Sequence, residues 1–157
     1  YTAEFMASLP FINKEKIGAV GFPMGAYRAW MASALCPQIK AAAAICWMND
    51  TQHLMTMTNN QNKGGSAYSM LIPNLRNYLD YAHVASLACP KPMLFFNGAQ
   101  DKLFPVEGVE NCYRTMHEVW KSQKVDNRLT TKIFDCGHHF GIPMQEETLT
   151  FFDRWLK

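Results

Sequence analysis

Apolar residues along this chain fall into two kinds of run, and the two kinds alternate. Short, nearly unbroken runs at residues 17–22 (IGAVGF), 40–48 (KAAAAICWM) and 92–97 (PMLFFN) have the length and composition of strands in a buried parallel sheet, and 129–136 (LTTKIFDC) reads as a fourth strand. The alanines of 40–48 suit a helix equally well, but Ile45, Cys46, Trp47 and the short length favour a strand. Longer stretches with helical spacing lie around them. These are 1–9, ended by Pro10; 24–35, closed by Cys36-Pro37; and 73–87, as one helix or two short pieces. Two more follow: 106–123, with Val109, Tyr113, Met116 and Trp120 on one face, and 144–156, presenting Leu149, Phe152, Trp155 and Leu156. This alternation predicts an α/β protein with a mostly parallel sheet and helices on both faces. Residues 49–68 break the pattern: they are polar and glycine-bearing, too irregular for a core element. They predict a loop or lid-like insertion over 49–73 within a single domain spanning 1–157.

Composition narrows the function classes. A chain of 157 residues with 48% hydrophobic and 18% charged residues can bury one core of ordinary size. The net charge of +2 is small and dispersed, which argues against nucleic acid or an anionic membrane as partner. No apolar run nears the roughly 20 residues that span a bilayer. The chain begins at Tyr1 inside a helical pattern, so its natural N-terminus is expected to be missing. The compartment, whether cytoplasmic, periplasmic or secreted, is therefore not encoded here. The five cysteines are odd in number and form no Cys-x-x-Cys pair, which predicts separate reduced thiols.

Candidate chemistry gathers where parallel sheets keep it, just beyond the carboxyl ends of strands. The first such end is Gly21-Phe22-Pro23-Met24-Gly25, a glycine-bracketed turn between a strand and a helix. The second is Asn97-Gly98-Ala99-Gln100-Asp101, and the third is Asp135-Cys136-Gly137-His138-His139-Phe140. Elbow, acid, histidine is the chain order of a nucleophile–acid–base triad on an α/β sheet. Trp47, Met48, Asn49 and Asp50 end the neighbouring strand and could line a substrate pocket, although an aromatic strand end is as often packing. His53, His83 and His117 are expected on surfaces or helix faces. GAVGFPMG does not fit Gly-x-Gly-x-x-Gly, and no Gly-Lys-Ser/Thr follows it, so dinucleotide and P-loop sites are excluded.

These motifs, together with residues 16–25, 71–75 and 88–94, resemble the C-terminal half of an α/β-hydrolase. The similarity is strongest to the dienelactone hydrolase and acetyl xylan esterase-like branch, and it covers essentially the whole chain. The resemblance implies Asp101 as triad acid and His138 as general base, preferred to His139 because the family loop reads histidine, any residue, phenylalanine. It implies the Met24 N–H as an oxyanion donor, Trp47 and His139 near the substrate, and Pro23 at the nucleophile position. No metal or organic cofactor is implied. Proline carries neither hydroxyl nor N–H, and its φ is fixed near −65°, whereas the family nucleophile sits in a strained turn, normally with positive φ. Pro23 is therefore expected to reshape that turn and re-aim the Met24 N–H.

Hydrolases of this type run to about 200–250 residues or more. The strands preceding 17–22 are expected to be absent, leaving that strand as an apolar edge that pairs with a missing N-terminal segment or a second copy. Two functions follow. One is ester hydrolysis by a Ser-His-Asp mechanism, impaired by Pro23, on a small ester such as an esterified carbohydrate. The other is a non-catalytic relative, either a pseudoenzyme or a truncated binding or assembly module.

Overall fold

A computed structural model describes residues 2–59 and 72–157. Four strands, β1 (Gly18–Gly21), β2 (Ala41–Ile45), β3 (Met93–Gly98) and β4 (Leu129–Phe134), form one sheet in the order β1-β2-β3-β4. Every pairing is parallel, with Gly18 opposite Ala41, Ala42 opposite Met93, and Met93 opposite Leu129. Among the described residues, six α-helices accompany the sheet: α1 (Thr2–Ser8), α2 (Met24–Leu35), α3 (Thr51–Leu54), α4 (Tyr81–Ser86), α5 (Val106–Ser122) and α6 (Ile142–Leu156).

Alternation of side chains along the central strands builds a core on each face. Ala42, Ala44, Met93 and Phe95 pack against α2, α4 and α5, where Trp30, Tyr81, Met116 and Trp120 are buried. Ala41, Ala43, Ile45, Leu94 and Phe96 pack against Met144 and Phe151 of α6. β2 is five residues of AAAAI, all buried, despite the helical propensity of alanine. With both faces covered, small side chains let helices close on the strand, and tertiary packing overrides local preference.

β1 is half open. Val20 is 55% exposed, because the strand has a hydrogen-bonded neighbour on one side only among the described residues. Its two small residues have different reasons. A Cβ on Gly18 would lie 2.8 Å from Leu156 of α6, and one on Gly21 would lie 1.9 Å from the Gly25 carbonyl carbon. Strand and helix thus touch backbone to backbone across the elbow. Only the first glycine of that bracket is sterically required, since a Cβ on Gly25 would meet nothing within 4 Å.

The stretch read as an irregular loop from Asn49 begins with a helix. Asp50 caps α3 by accepting the His53 N–H at 2.8 Å, and Thr51 and Leu54 are buried. Asp80 ties α3 to α4, accepting the Thr51 N–H and hydroxyl as well as the Tyr81 N–H. A buried single turn of four residues leaves no periodicity to read. Residues 60–71 of the expected insertion, and Leu71 of the quoted resemblance, lie outside the described residues. Residues 73–87 form two pieces, a 3-10 turn at Leu75–Asn77 and then α4.

Candidate active site

The loops after β3 and β4 are sewn together by their backbones. The Ala99 N–H donates to the Phe134 carbonyl at 2.8 Å, the Gln100 N–H to that of Cys136 at 2.9 Å, and the Gln100 amide to the Asp135 carboxylate at 2.7 Å. Gly98 makes this approach possible: a Cβ there would sit 2.4 Å from the Cys136 carbonyl oxygen and 2.5 Å from that of Gly137. The consequence is that Asp101 and His138, 37 residues apart, meet. His138 Nδ1 lies 2.6 Å from Asp101 Oδ2.

The Asp101 carboxylate is fully enclosed, and its other oxygen accepts the Leu103 N–H at 2.9 Å. His138 keeps 22% of its side chain exposed. With Asp101 ionised, Nδ1 is the donor, which leaves Nε2 as the nitrogen able to take a proton. Two rings grip the imidazole: Phe104 stacks at 5.9 Å with a 17° interplanar angle, and Phe22 approaches to 5.1 Å. Phe22 immediately precedes Pro23, so the turn at Pro23 and the Asp101–His138 pair share one rim of the sheet.

Pro23 stands at φ −73°, ψ −46°, a helical conformation, and its carbonyl accepts the Ala26 N–H at 3.0 Å. The residue at the elbow tip therefore reads as the lead-in to α2, where proline is at home. Met24 opens the helix with an amide that has no intrahelical acceptor, and its side chain is 44% exposed.

Trp47 lies inside the core. It is 3% exposed and sits among Tyr27, Trp30, Tyr81 and Phe104, with ring centroids 4.6–6.2 Å away. Of the two readings that the strand end left open, packing is the one these contacts support, one ring removed from His138. Its apolar bulk at a buried strand end explains the placement. His139, next to His138 in the chain, is exposed.

Two features escaped the sequence reading. His53 forms a second histidine–carboxylate pair, with Nδ1 2.7 Å from Asp50 Oδ1, and Asn111 of α5 donates to the same carboxylate at 3.0 Å. An Asp-x-x-His spacing at a helix start was the available signal. Cys46 ends β2 with φ 56°, left-handed for a non-glycine residue, and nothing in the sequence announces that conformation. His83 completes a capping box on α4, and His117 bonds Thr131 at 2.8 Å.

Asp50 is held below the ordinary carboxylate range. Burial alone would raise it, but hydrogen bonds from Asn111, the His53 N–H and the His53 ring outweigh burial. A carboxyl lowered in the folded state contributes stability above its unfolded pKa and loses it as pH falls through the folded value. Asp50→Asn is therefore expected to lower the thermal midpoint at neutral pH, with the gap to the unmodified chain closing on acidification. A gap that is constant or widens toward acid would refute this account.

Comparisons with known proteins agree with the fold. A profile described as the Abhydrolase family matches residues 2–131. YtaP of Bacillus subtilis (strain 168), provisionally assigned as a hydrolase, is 28% identical over 153 residues, covering 98% of this chain and 50% of that protein. A carbohydrate esterase family 15 glucuronoyl esterase from Caldicellulosiruptor kristjansonii superposes with a TM-score of 0.77 at 18% identity, over 95% of this chain and 45% of its own. A glucuronoyl esterase from Solibacter usitatus gives 0.77 at 12% identity, over 99% and 46%. At these identities the superpositions show the fold alone. The chain spans about half the length of the relatives it matches.

Proposed function

The chain belongs to the Abhydrolase family, and from that premise we propose that Asp101 and His138 are the acid–base half of a carboxylic-ester hydrolase site whose nucleophile position is filled by Pro23. The observation that carries this reading is the 2.6 Å contact between His138 Nδ1 and the enclosed Asp101 carboxylate, on the rim where the residue next to Pro23 touches the imidazole. In the ancestral chemistry a serine at position 23 attacks the ester carbonyl. His138 Nε2 takes the hydroxyl proton and returns it to the leaving alcohol, Asp101 orients the imidazole, and the Met24 N–H supports the oxyanion. Water then clears the acyl-enzyme by the same proton path. Pro23 offers only ring carbons, so the chain as it stands has a base with nothing to activate. His139, exposed at the mouth, faces the substrate in this reading. The glucuronoyl esterases among the structural neighbours support an esterified carbohydrate as the substrate class. The test is p-nitrophenyl acetate hydrolysis by the unmodified chain, by Pro23→Ser, and by Pro23→Ser with His138→Ala.

One observation favours a second reading, a non-catalytic relative that keeps the fold for binding or assembly. The backbone at Pro23 is relaxed helix and not a strained turn. On that reading Pro23→Ser folds and stays inert.

The open side of β1 belongs to the same proposal. Val20, Phe140, Leu149 and Phe152 line an apolar groove along the strand, and Val20 and Leu149 are well exposed. The companion half of the longer family chains is proposed to lay a strand against β1 and fill this groove, in keeping with the half-length match to relatives. Hydrogen exchange at Val20 is expected to be fast in this chain and to slow when that half is co-expressed. A dimer dispersed by Val20→Lys would assign the edge to a second copy instead.

A further inference from the structure

The Cys46 thiol, a carboxylate oxygen of Asp101 and a ring nitrogen of His138 lie within 4.8 Å of one another. We propose that these three side chains form a site for a soft divalent cation, with Zn2+ the best match, and that its occupation replaces the Asp101–His138 hydrogen bond and idles the pair.

The donor set is one sulfur, one nitrogen and one oxygen, a combination that suits the borderline-soft Zn2+ and leaves a fourth position for water. A thiolate and a carboxylate together carry two negative charges, which the dication neutralises. Alone, the Cys46 thiol is pushed up to about 12, first by burial and then by the charges of Asp101 and Cys136. A cation between Cys46 and Asp101 reverses this logic, because the carboxylate that opposes a bare thiolate attracts the metal that stabilises it. Binding then breaks the S–H bond, forms the S–Zn bond and releases the proton to solvent.

The surroundings hold the donors in place. Cys46 keeps its left-handed backbone with its N–H on the Phe96 carbonyl at 2.7 Å; its thiol donates to the His139 carbonyl at 3.7 Å, a contact that it gives up when the metal takes the sulfur. Asp101 has one oxygen fixed by the Leu103 N–H, which leaves Oδ2 toward His138. Outer bonds of this kind orient metal ligands. Two adjustments are needed: the 2.6 Å Asp101–His138 contact must open to roughly 3.3 Å, and the sulfur, within 4.8 Å of the other donors, must stand roughly 3.5 Å from each, the tetrahedral spacings for bonds of about 2.0 Å and 2.3 Å. His138, the most exposed of the three, can supply the first. The Asp50–His53 pair lacks a third donor in the same compass among the described residues and serves as the control.

The probe is Co2+, titrated anaerobically into the reduced chain and then displaced by Zn2+. One equivalent of Co2+ is expected to give a thiolate charge-transfer band, and Zn2+ binding in buffers of different ionisation enthalpy should release about one proton at neutral pH. Cys46→Ala should abolish the band and weaken Zn2+ binding by roughly 100-fold or more. Asp50→Asn should change neither. No band in the unmodified chain, or a band that survives Cys46→Ala, overturns the site. If Cys46→Ala does not fold by circular dichroism, His138→Ala decides: unchanged Zn2+ affinity refutes the proposal. The readout involves no ester, so failure here leaves the hydrolase reading standing, and an inert Pro23→Ser leaves the metal site standing.

Discussion

Pro23→Ser is expected to hydrolyse p-nitrophenyl acetate about 10²- to 10⁴-fold faster than the unmodified chain, the range that a positioned general base contributes. Adding His138→Ala to the same chain should erase the gain. Most of the parts that serine needs are already in place. The His138 imidazole is oriented by Asp101 at 2.6 Å and clamped between Phe22 and Phe104, so its acid–base function needs no further assembly. What is missing is an atom to deprotonate. Serine supplies the hydroxyl and also frees φ, which proline holds at −73°, so the turn can relax toward the strained geometry a nucleophile uses.

The same assay on a form carrying the companion half separates two shortfalls. If serine restores activity only there, the second oxyanion donor comes from that half. If Pro23→Ser is inert in both forms while folded, the chain is a non-catalytic relative and the ester-hydrolase reading fails. If the unmodified chain turns over and loses activity with His138→Ala, Pro23 is no block at all.

Much of this architecture could be read from the chain, and the failures have physical causes. All four strands were legible, β2 and β3 most plainly, because strands covered on both faces must be apolar almost throughout. The loops carrying Asp101 and His138 stood out because each follows such a run. What could not be read is how close they come. That depends on Gly98, whose missing Cβ lets the β3 and β4 loops bond to one another, and a lone glycine at a strand end has many explanations. The Cys46 cluster escaped for a related reason: its members lie 55 and 37 residues apart, and only the parallel register of β2 with β3 and of β3 with β4 brings them together. α3 was lost in a polar stretch because four residues cannot display a helical period. Trp47 stayed open between the two readings because an aromatic residue at a strand end looks the same whether it faces a pocket or a core.

That last distinction carries a large expected stability effect. Trp47→Ala should destabilise the fold by about 3–5 kcal/mol, the range for truncating a buried tryptophan or phenylalanine to alanine. Trp47 is 3% exposed and touches four aromatic rings: Tyr27 from α2, Trp30 from α2, Tyr81 from α4 and Phe104 from the loop after β3. Removing it opens a void where two helices and a loop converge, and aromatic rings held by their own packing cannot collapse to fill it. Against a total stability of about 5–15 kcal/mol, such a loss takes much of the folded margin. Trp47→Phe should recover a good part of it, since a smaller ring keeps most of the contacts. Urea titration reads the difference as a lower midpoint with an unchanged slope. Phe104, which leans on Trp47, also stacks on His138, so the void should loosen the imidazole as well. A Trp47→Ala chain within about 0.5 kcal/mol of the unmodified one, the span of an ordinary surface change, would mean that the residue stands in an open pocket after all.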